Sequence, residues 1–508
     1  MIDTVEVPSR PTAPNPVKAT RRWLFRLASV LCGLSLFGVI ELFCAAADWG
    51  GAVAGEDPFV GFTSIRPLFE RTPAGDLFHT SPARQRFFRD VSFSAKKPSG
   101  EFRIFVFGGS TVQGNPFSIE TSFPTYLQIA LHQAYPSRSW KVVNCGGVSY
   151  ASYRLVPVMQ ECLNYQPDLF VFCEGHNEFL EDVSYAEVRQ TPVVVQQGYS
   201  LLSRLRSFRL LQQAVRRPLL SAAFEMPRIG EPGKPLLHGE VDTLLDHDGG
   251  LEAYHRDDQH AGTVHQHFRS NLQRMIDMCH SQAVPLLMVL PPSNLSDCPP
   301  FKSEYSAATS KGARATIQGM LKEAREISLR DVRQAINIVQ QATAIDRRFA
   351  FSWYELGQLQ LSASENSAAD NSFRRARDED ICPLRITTPL EIAMQEAAAT
   401  NHVPLINAHE LLRSRCPHGI IGENVLVDHV HPSFRGHEDI AIAIADWLLA
   451  TDLLTAANAD WKLAMQRECR TQLQSLDDLY FLRGRRALET LKLWAAGRSG
   501  GPPLLQRP

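Results

Sequence analysis

Ser110 stands where an apolar run, Ile104 to Phe107, gives way through Gly108 and Gly109 to a polar turn. A serine so placed can offer its hydroxyl as a nucleophile while its own amide points at the same spot. Asp428 and His431, in Val427-Asp-His-Val-His-Pro-Ser433, are three apart, so on a turn both side chains can lie on one side. The carboxylate can then fix the imidazole tautomer, and the free ring nitrogen can take a serine proton. Attack on an ester carbonyl also needs donors aimed at the oxygen that becomes negative. The amide of Ser110, a glycine amide from Gly146 or Gly147 and the side-chain NH2 of Asn177 are suitable donors. Glycine lets the backbone approach without a Cβ, and asparagine donates without carrying charge. Two plainer readings stand beside these. Gly-Gly-Ser is also a common turn with a helix-capping serine. Asp428, His429 and His431 could also be the start of a metal site, although no further ligand cluster completes it.

The elements around these residues alternate in type. Ile104–Phe107 reads as a buried strand and Ser122–Ala134 as an amphipathic helix. Lys141–Asn144 is a second strand, Leu155–Leu163 a helix, and Asp168–Cys173 a third strand running into Glu174-Gly-His-Asn177. Further on, Val264–Ser281 and Pro389–Thr400 read as helices, with Val284–Leu290 and Val403–Asn407 as the fourth and fifth strands. A helix over His437–Leu449 follows the Asp-His loop. This rhythm predicts a parallel five-stranded sheet with helices on both faces. In such a sheet Ser110, the Gly146/Gly147 pair and Asn177 all fall beyond the carboxyl ends of successive strands, where ligands bind.

The four blocks resemble the SGNH (GDSL-type) hydrolase family. They stand here as Gly-Gly-Ser110-Thr, Asn144-Cys-Gly-Gly147, Gly175-His-Asn177-Glu and Asp428-x-x-His431. The resemblance covers roughly 102–449 with one insertion. It implies a flavodoxin-like three-layer α/β/α sandwich and an esterase or O-acyltransferase activity without metal or organic cofactor. The implied catalytic residues are Ser110, Asp428 and His431, with Ser110, Gly147 and Asn177 as the oxyanion hole. Two departures stand out. The serine block reads GGST where the family often has GDS, and the family's glycine register in the second block could fall on Tyr150.

Between 181 and 262 the chain carries five prolines and a basic patch from Arg204 to Arg217, expected as partly helical loops beside the site. The histidines between His238 and His280 are irregularly spaced, as expected of solvated or helix-face side chains. Trp353, Leu356, Gly357, Ala369, Phe373 and Ala376 fit the tetratricopeptide (TPR) pattern. Ala335, Val339 and Ala342 match its second helix one repeat earlier. An ordinary helical hairpin would also account for these residues. Arg385 could hold a substrate anion or form a structural salt bridge.

At the N-terminus Arg21, Arg22 and Arg26 precede an apolar segment ending at Ala47, long enough to cross a bilayer with the remainder extracytoplasmic. A cleaved signal peptide is the rival reading. The expected organisation is therefore a tail (1–22), an anchor (23–47), a connector (48–101), a hydrolase domain in two parts (102–304 and 383–450), a helical insertion (305–382) and C-terminal helices (451–508). A net charge of −2 gives no reason to expect nucleic acid. The expected partners are an acylated carbohydrate or lipid, the membrane, and a protein at the insertion. The competing class is a scaffold that uses the insertion on a degenerate hydrolase fold.

Overall fold

The structure, a computed structural model, describes residues 16–47, 57–62, 65–181, 205–210, 236–245, 250–451 and 458–498, apart from positions 58, 63–64, 209 and 244. They fall into two compact units, 1–55 with 191–228 and 56–190 with 229–508.

In the larger unit the centre is a parallel sheet of β1 (Glu101–Gly108), β2 (Ser139–Gly146), β3 (Leu169–Cys173), β4 (Leu286–Leu290) and β5 (Leu405–Asn407), in the order β5-β4-β3-β1-β2. The period-2 alternation of a strand explains which residue goes where. Ile104 and Val106 join a core with Tyr126, Leu127, Ile440 and Ile444, from helices Phe123–Ala134 and Phe434–Ala450. Phe105 and Phe107 point the other way, where both rings meet Phe170 of β3. That second face is covered by helices Ser152–Cys162, Asp258–Ser281 and Thr388–Thr400. Burial on both faces is what makes the strands continuous apolar runs rather than alternating ones. The expected five strands and the helices between them are all present, with ends shifted by a few residues.

The chain leaves β1 for β2 on one side and then crosses to β3 on the other. The crevice of this sheet therefore opens between the carboxyl ends of β1 and β3. Ser110 follows the first of these strands and Asn177 the second.

The connector holds a small antiparallel sheet, Phe69–Arg71, Leu77–Thr80 and Ser92–Ser94. The insertion is two antiparallel helical hairpins, Lys311–Ser328 with Val332–Ile345 and Ala350–Ser362 with Asn366–Asp378. Of the residues read as repeat positions, Ala335, Val339 and Ala342 in the first hairpin and Leu356, Gly357, Ala369, Phe373 and Ala376 in the second are buried inside it, while Trp353 is half-buried. Its opening helix had not been expected. The second hairpin rests on the loop after β4, where Tyr354 Oη donates to the Ser296 carbonyl at 2.9 Å. The C-terminal helices do not stand apart, since Trp461, Met465 and Cys469 complete the core beneath β1 and β3.

In the smaller unit, helix Pro16–Ala46 runs through the expected anchor, and side chains are described for only part of it. Among the described residues no helix is long and apolar enough to cross a membrane, while positions 23–27, 30, 34 and 45 of the expected anchor lie outside the described side chains. The acidic residue in that apolar run is satisfied locally, because Glu41 accepts the backbone amides of Arg206 and Ser207. Most of the excursion, including most of the basic patch from Arg204 to Arg217, lies outside the described residues.

Candidate active site

Three loops distant in sequence meet at the β1 end of the crevice. His431 Nε2 lies 2.7 Å from Ser110 Oγ, and His431 Nδ1 lies 2.6 Å from Asp428 Oδ2. Asp428 Oδ1 accepts the amides of Val430 and His431 at 3.0 and 2.9 Å, so both carboxylate oxygens are engaged within a single turn. Burial alone would raise this carboxyl. The His431 and His429 rings and the donated hydrogen bonds outweigh it and hold Asp428 well below the usual carboxylate range. An ionised Asp428 requires the proton on Nδ1 and leaves Nε2 free to accept from serine.

The loop that carries Asp428 and His431 is held from β4. Asn294 donates its side-chain amide to the Asp428 carbonyl at 2.9 Å and its backbone amide to the His429 carbonyl at 2.9 Å. Arg385 in turn donates to the carbonyls of Asn294 and Cys298 and faces Asp380 at 3.4 Å. It is 2 % exposed, so of its two expected roles the structural one holds. Asn294 follows the strand read at Val284–Leu290, but nothing in its surroundings in the sequence tells which loop it clamps.

On the β3 side, Asn177 Nδ2 donates one hydrogen to the Tyr150 carbonyl at 3.1 Å, leaving a second for a ligand. Its turn is pinned by Glu174, whose Oε1 accepts the successive amides of Gly175, His176 and Asn177. Complete burial pushes the Glu174 carboxyl up to about 8 against the pull of those amides. It therefore carries a proton at neutral pH and adds no negative charge beside the crevice.

The glycine of the expected oxyanion hole needs correction. The Gly147 amide donates to the Gly108 carbonyl at 2.9 Å, continuing the β1–β2 ladder past its last residue, and is not free to meet an oxyanion. The alternatives are engaged too: Gly146 donates to Asn144 Oδ1 and Tyr150 to the Gly147 carbonyl. Among the described residues of 146–150, only the amide of Ser149 has no acceptor, and its backbone is left-handed with φ of 63°. That conformation favours glycine, which is why a sequence search for glycine passes over it.

Gly109 explains the absent aspartate of the serine block. A Cβ there would lie 2.4 Å from Asn177 Nδ2, 2.6 Å from Glu174 Oε2 and 3.1 Å from His176 Nε2. The room a side chain at 109 would use is filled by groups from the β3 turn.

Ligand atoms of Asp428, His429 and His431 fall within 4.8 Å of one another, as a metal site would require. Both nitrogens of His431 are already engaged, one by Ser110 and one by Asp428, so metal ligation there would break the serine contact.

No protein-family model matches the chain, and no curated protein matches it. Solved structures do. An alpha/beta hydrolase from the metagenome of Lake Arreo, Spain, is 10 % identical over 69 % of this chain and 97 % of its own, with a TM-score of 0.32. The lipase/acylhydrolase from Enterococcus faecalis is 12 % identical over 68 % and 95 %, with a TM-score of 0.29. A putative lipolytic protein of the G-D-S-L family from Desulfitobacterium hafniense is 11 % identical over 68 % and 98 %, with a TM-score of 0.26. Scores this low leave the fold resting on the chain's own strand order and its chemistry on the geometry above.

Proposed function

We propose that this chain is a serine hydrolase of the SGNH type that cleaves or transfers an O-acyl group on a carbohydrate or lipid. The observation that carries the reading is the unbroken line of hydrogen bonds from Ser110 Oγ through His431 to Asp428. Ser110 Oγ attacks the ester carbonyl as His431 Nε2 takes its proton. The carbonyl oxygen gains the negative charge and is met by the amide of Ser110, the free hydrogen of Asn177 Nδ2 and the amide of Ser149. Collapse breaks the bond to the alcohol, which leaves with the proton from His431, and the acyl group stays on Ser110. Water, or an acceptor hydroxyl, then attacks the acyl carbon while His431 Nε2 takes its proton, and the acyl–serine bond breaks as His431 returns that proton to Ser110 Oγ. Every step uses side chains and backbone amides of this chain.

An extracytoplasmic setting is part of the proposal. Its support is the arginine-flanked apolar segment and the exposure of Leu36, Val39, Leu42 and Phe43 on helix Pro16–Ala46. The tetratricopeptide-like hairpins are proposed to serve a protein partner as well as to buttress the loop after β4.

A fluorophosphonate probe tests the core of this reading. Labelling of the full chain that disappears in Ser110→Ala is expected, followed by turnover of short-chain aryl esters or acetylated sugars. No labelling under any condition favours the scaffold reading instead.

A further inference from the structure

Two histidines beside the nucleophile, His176 and His429, exchange no proton in the mechanism above. His176 is 2 % exposed, and neither of its ring nitrogens has a protein partner. Its Nδ1 is 3.5 Å from Glu174 Oε1, in poor geometry for a hydrogen bond. Its Nε2, Asn177 Nδ2 and Glu174 Oε2 crowd the same point above Gly109, and Glu174 Oε2 also has no protein partner. Burial, then the nearby His431 and His429, pushes the His176 ring down to about 3, so it is neutral. His429 lies edge-on to His431 with ring centres 5.7 Å apart, and packs against Phe301. Its side chain is 12 % exposed where that of His431 is 4 %, so it stands nearer the mouth of the crevice. Burial lowers this ring too, to about 4.

Buried polar groups in folded proteins find partners, and an imidazole carries one donor and one acceptor when neutral. A hydroxyl group matches both. A carboxylate or phosphate would be drawn by charge, which neutral rings do not supply, and an alkyl chain would leave the nitrogens of His176 unmet. Building on the esterase reading, we infer that His176 and His429 form a hydroxyl-binding subsite beside Ser110, so that the alcohol half of the ester is a polyol such as a sugar rather than a lipid chain.

The test compares two substrates on the purified full chain: an O-acetylated methyl glycoside with its other hydroxyls free, and the same compound with those hydroxyls methylated. The wild type is expected to favour the free-hydroxyl substrate in kcat/KM by about tenfold or more, the scale of a lost hydrogen bond to a buried group. His176→Phe should erase most of that preference, and His176→Gln, which returns a polar group near Nε2, should recover part of it. His429→Phe, at the more exposed position, provides an independent reading should the first variant fold poorly. A preference that survives in His176→Phe and His429→Phe, or a wild type without one, overturns the inference. If the wild type turns over neither substrate and takes no fluorophosphonate label, it is the esterase reading itself that has failed.

Discussion

His431 Nε2 and Ser110 Oγ lie 2.7 Å apart although 321 positions separate them in the chain. The strand order makes that meeting possible, because the Ser110 turn leaves β1, between β3 and β2, and the loop from 428 to 431 is clamped to the segment after β4 by Asn294. Folding the sheet therefore brings the pair together.

The Asp428 carboxylate has a role that its amide counterpart would reverse. An asparagine there would keep an acceptor for the Val430 and His431 amides but could present NH2 to Nδ1, which puts the ring proton on the wrong nitrogen. Asp428→Asn should lower kcat by about 10⁴-fold with KM little changed. Steady-state kinetics on an aryl acetate, with a melting curve to show that the variant is folded, measures it. A loss of less than tenfold would mean that the proton leaves Ser110 by another route.

Asn177 and Gly109 should fail in related ways. Asn177→Ala removes a donor that acts on the transition state, with an expected loss of about 10²–10³ in kcat. Gly109→Ala leaves that donor in place but sets a methyl group 2.4 Å from it, so the amide must move. Its kcat should drop by about tenfold to a hundredfold. Equal KM values in the two variants and the wild type would locate both effects after substrate binding.

Glu174 predicts a pH effect with a definite sign. Its carboxyl is pushed up to about 8 from an ordinary 4.5, so the folded state holds a proton that the unfolded state has released. The stabilisation this gives is complete below 4.5 and is lost as the pH rises through about 8. Ionisation also sets a negative charge beside Asn177, opposing the charge that forms on the ester oxygen. Hydrolysis should therefore decline as the pH passes about 8, and the wild-type melting temperature should fall between pH 4.5 and about 8, while Glu174→Gln keeps its rate and its melting temperature over these ranges. An alkaline decline of equal size in Glu174→Gln would assign it to another group.

The sheet was legible because parallel strands buried on both faces read as short apolar runs, as in Ile104–Phe107 and Leu286–Leu290. The positions of Ser110 and Asn177 follow from those strands, while Asp428 and His431 stand out by their three-residue spacing. Other features depend on contacts that the local sequence does not encode. The helix Lys311–Ser328 buries only Ile317, Leu321 and Ala324, a stripe too narrow to set it apart from a solvated helix. Trp461, Met465 and Cys469 form a clear stripe, but nothing near them tells that the stripe covers the β1 and β3 core. The direction of the Gly147 amide is set by pairing with Gly108, and the ban on a side chain at 109 by a turn about 65 residues on.

Ser149 gives the sharpest test of the proposed oxyanion hole, because the proposed role belongs to its amide and not to its hydroxyl. Its φ of 63° costs a residue with a Cβ about 1 kcal/mol, which glycine does not incur. Part of that gain is returned through the greater freedom of glycine in the unfolded chain. Ser149→Gly and Ser149→Ala should both stay within about threefold of wild-type kcat/KM, since each keeps the N–H. Ser149→Gly should match or exceed the wild-type melting temperature. A tenfold loss in both variants would transfer the role to the hydroxyl.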